Sequence, residues 1–225
     1  MDANFLNKTS LMFHEILDNG DTNSGWHTRS NGKYTISKNK FLKIISIYGS
    51  SVNYTFDDGG ISNLYAANQL KSSGIQGIFF ICSAYIGEPG FLNLDQINNI
   101  SKYHHVFAHG HKHIMKRVNF SDLFLDWEQS LSYMKNNNFN SNIVCLPGGY
   151  FTLDHYKVFS DLGVKYIFHS APYNFILKIL YKENFVFIPR IIVTEKFKLI
   201  RKTNYIGIKS LIKQAVDNLS ILIKF

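Results

Sequence analysis

The 225-residue sequence predicts an α/β fold in a single domain. Three observations carry that expectation. Short apolar runs of strand length alternate with stretches of helical spacing, the pattern of α/β layering. No internal repeat or low-complexity linker divides the chain, whose length suits one sizeable core. Finally, His14, Asp57-Asp58, His109 and the turn Pro147-Gly148-Gly149 each come directly after a candidate strand. In a barrel of parallel strands, residues just past the strand ends gather at one face, so these four features would share one mouth.

The candidate strands, in order, are Leu11–Phe13, Val52–Phe56, Gly77–Ile81, Val106–Ala108, Ile143–Leu146, Lys165–Phe168 and Phe185–Ile188. Between them Ile61, Leu64, Ala67 and Leu70 recur at helical spacing. Phe124, Trp127, Leu131 and Met134 do so more clearly, with Ser121 placed to cap that helix. The stretch from Asn19 to Lys40 is polar and rich in Gly, Asn and Ser, and reads as a long loop. His104-His105 reads as a polar surface turn. The domain is expected to span residues 1–225, with a core from about 11 to 193 and a C-terminal strand or helix extension over 194–225.

Composition excludes several classes. Hydrophobic residues are 45% and charged residues 18%, a globular balance rather than a disordered one. The formal charge of +8 comes from 24 scattered Lys and Arg, with no dense basic stripe and no RNA-binding aromatic motif. A nucleic-acid partner is therefore not expected. No window supplies the run of about 20 apolar residues that a membrane-spanning helix needs. The start, MDANFLNKTSLMFHEIL, lacks the basic region and apolar length of a signal peptide. Cys82 and Cys145 both sit in apolar runs and read as buried free thiols. The expectation is a soluble cytoplasmic protein whose contact with membrane, if any, is through the apolar and basic C-terminal segment.

Two segments carry the chemistry. Thr55-Phe56-Asp57-Asp58-Gly59 sets two adjacent carboxylates at the end of an apolar run. His109-Gly110-His111-Lys112-His113 sets imidazoles four residues apart. One carboxylate and two imidazoles make a ligand set for a catalytic divalent metal, with positions left open for water and substrate. The second carboxylate is then available as a general base. On one helical turn His109 and His113 would share a face, while His111 would point elsewhere as a solvated histidine. The plainer alternatives are that the Asp pair caps the next helix and that the histidines form a surface turn.

Taken together with Leu146-Pro147-Gly148-Gly149, these segments resemble, in order, the first three motifs of the polysaccharide deacetylases with a NodB-homology domain. The resemblance runs from Leu11 to about Val193 and includes fillers such as GIFFICSAYIG and GFLNLDQI. It implies a distorted (β/α)7-type barrel of parallel strands and a divalent metal, usually zinc, with cobalt, manganese or nickel as other candidates. It also implies hydrolysis of an N-acetyl, occasionally O-acetyl, group on a sugar. Carried over, Asp58, His109 and His113 would hold the metal and Asp57 would be the base. A backbone N–H at Gly148 would meet the oxyanion.

Two positions depart from the family pattern. The third motif usually begins with Arg, and Cys145 stands there. Arg190 could supply the missing charge from another direction, or be a plain surface arginine. No Leu-x-x-x-His-type motif closes the chain. Instead Leu11-Met12-Phe13-His14 resembles circularly permuted members whose acid histidine lies on an N-terminal strand. His14 is thus the candidate general acid, with a core histidine as its alternative and His169 as a weaker candidate. The partner expected is an N-acetylated sugar or glycan precursor. A hydrolase of a non-sugar C–N bond and an inactive glycan-binding relative are the competing readings, and the oligomeric state is open.

Overall fold

Inside a closed parallel barrel, strand residues alternate between an inner core and an outer layer of helices, so both faces are apolar. The computed structural model describes residues 8–22, 32–115, 118–170 and 183–199. Seven parallel strands close the barrel: β1 (Thr9–Phe13), β4 (Val52–Phe56), β5 (Ile78–Ile81), β6 (His105–Ala108), β7 (Ile143–Cys145), β8 (Tyr166–His169) and β9 (Val186–Ile192). They neighbour one another in that order, and β9 returns to pair with β1 through Ser10↔Arg190 and Met12↔Ile192. A two-stranded sheet of β2 (Glu15–Ile16) and β3 (Thr35–Ile36) lies outside the barrel. The expected α/β barrel is observed.

The outer layer is α1 (Lys38–Tyr48), α2 (Asn63–Ser72), α3 (Leu94–Ser101), α4 (Phe120–Asn136) and α5 (Leu153–Asp161). Outward residues such as Phe79, Val106, Val144 and Ile167 pack with helical residues including Leu70, Ile97, Trp127 and Phe159. Inward, Ile78, Phe80, Phe107, Ile143, Cys145, Phe168 and Ile188 form a second cluster. Phe80 meets Phe168 at 4.9 Å and Phe107 at 6.0 Å between ring centroids, so the barrel is filled rather than open.

The structure corrects five local expectations. The cap of α4 is Asn119, whose side chain accepts from Asp122 N at 2.8 Å, not Ser121, which lies within the helix. The polar stretch 19–40 is not all loop: it contains β3 and the first turn of α1, capped by Ser37. Local polarity hid these elements, because α1 buries only a narrow face through Phe41, Ile44 and Ile45. His104 is buried rather than in a surface turn. Its Nδ1 accepts from Gly77 N and its Nε2 donates to Ala67 O, and His105 opens β6. The His109–His113 segment forms no helical turn. Lastly, β9 continues through Pro189, which places Arg190 within the strand instead of after it. Most of the expected extension, residues 200–225, lies outside the described residues, as do 23–31 of the stretch 19–40.

Candidate active site

Period-two alternation explains why the functional side chains meet. Stepping by two from inward-facing residues leads to the barrel mouth, from Thr55 to Asp57, Phe107 to His109, Ile143 to Cys145 and Ile188 to Arg190. Two ladder-like bonds hold the residues just beyond the strands, Asp57 N to Phe13 O and His109 N to Ile81 O, both at 2.9 Å. A cavity of about 440 Å³ opens at this end. His14, Asp57, Asp58, His109, His113 and Gly148 all line it. Neither aspartate caps α2, whose N-cap is Ser62.

Asp58, His109 and His113 converge as one group. Asp58 Oδ1 lies 3.5 Å from His109 Nε2 and 3.2 Å from His113 Nε2. This oxygen is buried, with no well-formed hydrogen bond to it among the described residues. His109 Nδ1 faces the Cys145 carbonyl at 2.9 Å, and a carbonyl can only accept, so Nδ1 carries the proton. Without a second proton, His109 would turn its Nε2 lone pair toward the Asp58 carboxylate. Acceptor faces acceptor, and the arrangement calls for a cation between them. A proton would satisfy one such pair, whereas a divalent ion would satisfy all three donors. Donor atoms about 2.0–2.1 Å from a tetrahedral ion stand about 3.3–3.4 Å apart, close to the spacings found. The residues therefore fit a divalent metal.

The electrostatics agree. Burial pushes His113 down to about 4, keeping it neutral and able to ligate. Burial works to raise Asp58, but His109 and His113 outweigh it and the net direction is down. Burial also opposes charge on His109, yet Cys145, Asp57 and Asp58 drive its pKa well above the ordinary value. Protonated His109 would thus stand in where a metal would otherwise balance the carboxylates. Two of the three residues, Asp58 (φ 74°) and His113 (φ 55°), occupy the left-handed backbone region, strain that is typical of functional sites.

Asp57 belongs to a second set. Arg190 donates to it through both Nη atoms, at 2.5 Å to Oδ1 and 2.8 Å to Oδ2. The same guanidinium reaches Thr55 Oγ1 at 3.2 Å and Cys145 Sγ at 2.8 Å, and lies over the Phe80 ring. Arg190 is therefore no surface arginine, being 6% exposed. Burial acts to raise the Asp57 pKa, but Arg190 and His109 outweigh it, and the carboxyl stays ionised. Asp57, His109 and Cys145 also cluster. Burial raises the Cys145 thiol and Arg190 occupies its sulfur, so this trio is the poorer metal site.

His14 Nε2 stands 4.0 Å from Asp57 Oδ2. Its ring stacks on Tyr34 at 4.8 Å, while its buried Nδ1 has no hydrogen-bond partner among the described residues. His169 is buried at the end of β8 and does not line the cavity. His111 turns away from the cluster, its Nδ1 2.9 Å from Ser83 Oγ. Sequence reasoning missed Tyr34 and Glu15, which also line the cavity. Tyr34 lay in the polar stretch read as loop, and the position of Glu15 beside His14 was its only signal.

No protein-family model matches the sequence, and no curated protein matches it. Solved structures do. The chain is similar to IcaB from Ammonifex degensii at 17% identity and TM-score 0.64, over 83% of this chain and 91% of that one. It is similar to the deacetylase PplD from Streptococcus pyogenes, solved with acetate, at 15% identity and TM-score 0.65, over 84% and 93%. A polysaccharide deacetylase from Bacillus cereus matches at 13% identity and TM-score 0.64, over 91% of this chain and 68% of that one. At these identities the likeness is one of architecture: the chain has the barrel fold of the polysaccharide deacetylases.

Proposed function

We propose that the protein is a metal-dependent hydrolase of the polysaccharide deacetylase family, removing an N-acetyl group from a sugar or glycan precursor. The observation that carries this reading is the placement of Asp58, His109 and His113 against a separately held Asp57 in one cavity. The deacetylases of Streptococcus pyogenes and Bacillus cereus, which share this fold, support it. Zinc or a similar divalent ion, held by Asp58, His109 and His113, would acidify bound water and polarise the acyl carbonyl.

The other parts come from the chain itself. Asp57 is ionised, and Arg190 fixes the plane of its carboxylate, so it can take the proton of the attacking water. The backbone N–H of Gly148, in a turn at φ 62° on the cavity wall, is the donor for the oxyanion. An amide nitrogen is a poor leaving group unless protonated, and His14, which lines the same cavity with its Nε2 4.0 Å from Asp57 Oδ2, would supply that proton. The C–N bond then breaks, giving acetate and a free amine. O-acetyl groups would need the acid less, since an alkoxide leaves more readily than an amide anion.

Acetate release from a panel of N-acetylated sugars and oligosaccharides tests the reading, after reconstitution with zinc, cobalt, manganese or nickel. Chelation is expected to abolish turnover, and Asp57→Asn to lower kcat about 10²–10⁴-fold with metal content unchanged. Stoichiometric metal without acetate from any member of the panel would remove the sugar deacetylase assignment.

A further inference from the structure

Asp126 lies on the buried face of α4, among Leu123, Trp127, Ser130, Leu131 and Met134. A carboxylate on such a face is costly unless its oxygens are hydrogen-bonded. Both are: His111 N donates to Oδ2 at 3.1 Å and Lys112 N to Oδ1 at 2.8 Å. Successive backbone N–H groups around one anion form a charge-assisted nest. The approach is close enough to dictate the neighbouring residue, because a Cβ on Gly110 would stand 2.9 Å from Asp126 Oδ2.

The carbonyls of the same loop are held from the opposite side. Gly110 O accepts from Ser83 N, His111 O from Ala84 N and Lys112 O from the Tyr85 hydroxyl. Asp126 thus supplies the acceptors for two of the three amides between His109 and His113, those of His111 and Lys112. The backbone turns into the left-handed region at Gly110 (φ 75°) and again at His113 (φ 55°). With both turns in place, His113 Nε2 stands 3.2 Å from Asp58 Oδ1.

We propose that Asp126 is a positioning residue of the metal site, acting through the backbone of His111 and Lys112 to hold His113 beside Asp58. This rests on the reading of Asp58, His109 and His113 as metal ligands. Asp126→Asn preserves volume but turns an N–H₂ toward one of the two amides. Metal-stripped protein is titrated with zinc against a chromophoric chelator, and with cobalt by visible absorption. Asp126→Asn is expected to raise the zinc Kd about 10–100-fold and shift the cobalt bands, with circular dichroism unchanged. Ser130→Ala, on the same face of α4, is expected to alter neither. Hydrogen exchange on the wild-type protein requires no variant, and the His111 and Lys112 amides are expected to be protected in the metal-free state. Wild-type zinc affinity and cobalt bands in Asp126→Asn, or unprotected amides at 111 and 112, overturn this inference alone. A wild-type protein that takes up no metal overturns the functional reading and this one together.

Discussion

Arg190 and Asp57 form a buried charge pair, and neither charge is tolerable alone. Arg190→Ala is expected to destabilise the protein by about 3–5 kcal/mol, since it leaves an uncompensated carboxylate in the barrel. It should also slow catalysis while sparing metal stoichiometry, as Arg190 touches none of the three proposed ligands. Denaturant unfolding, metal analysis and turnover on one preparation separate these effects. Arg190→Lys should rescue poorly, because an ammonium cannot make the two parallel bonds. Tyr34→Leu removes the ring on which His14 stacks, and its kcat is expected to fall more than its KM rises. A rise in KM with kcat unchanged would assign Tyr34 to substrate binding alone. The aspartates and histidines were legible in the sequence as a candidate ligand set, because a divalent metal would restrict ligand type. Arg190 was half legible, as its inward register follows from Ile188. Asp126 was not, because its partners are backbone amides, which carry no residue-type signature.

At the scale of elements, the cap of α4 offers a paired comparison. Asn119→Ala is expected to cost about 1 kcal/mol in denaturant unfolding, since it strips the acceptor for Asp122 N. Ser121→Ala, two residues on, should change stability little. The reverse order would restore Ser121 as the cap. The strands were read to within a residue or two at most ends, because β5 and β7 are buried along their whole length and appear as unbroken apolar runs. The elements β3 and α1 were hidden for the opposite reason. Their holding contacts are distant in sequence, with Glu195 accepting from Ser37 N at 3.1 Å and Asp18 from Lys38 N at 3.1 Å. Local composition cannot report such contacts.

For the whole molecule, the barrel is at once core and scaffold. Phe80 fills its centre and lies under Arg190, so Phe80→Ala is expected to cost about 3–5 kcal/mol in denaturant unfolding. A loss below about 1 kcal/mol would mean the interior is not packed as described. Closure of β9 on β1 joins segments some 180 residues apart, and no local pattern announces it. The shared mouth was nevertheless foreseeable, since parallel strands place every strand end on one face. What most directly tests the account is anomalous scattering from crystals soaked in zinc. The expected result is one strong peak about 2.0–2.2 Å from Asp58 Oδ1, His109 Nε2 and His113 Nε2. A fully loaded crystal with its zinc elsewhere, or no peak at saturating zinc, would contradict it.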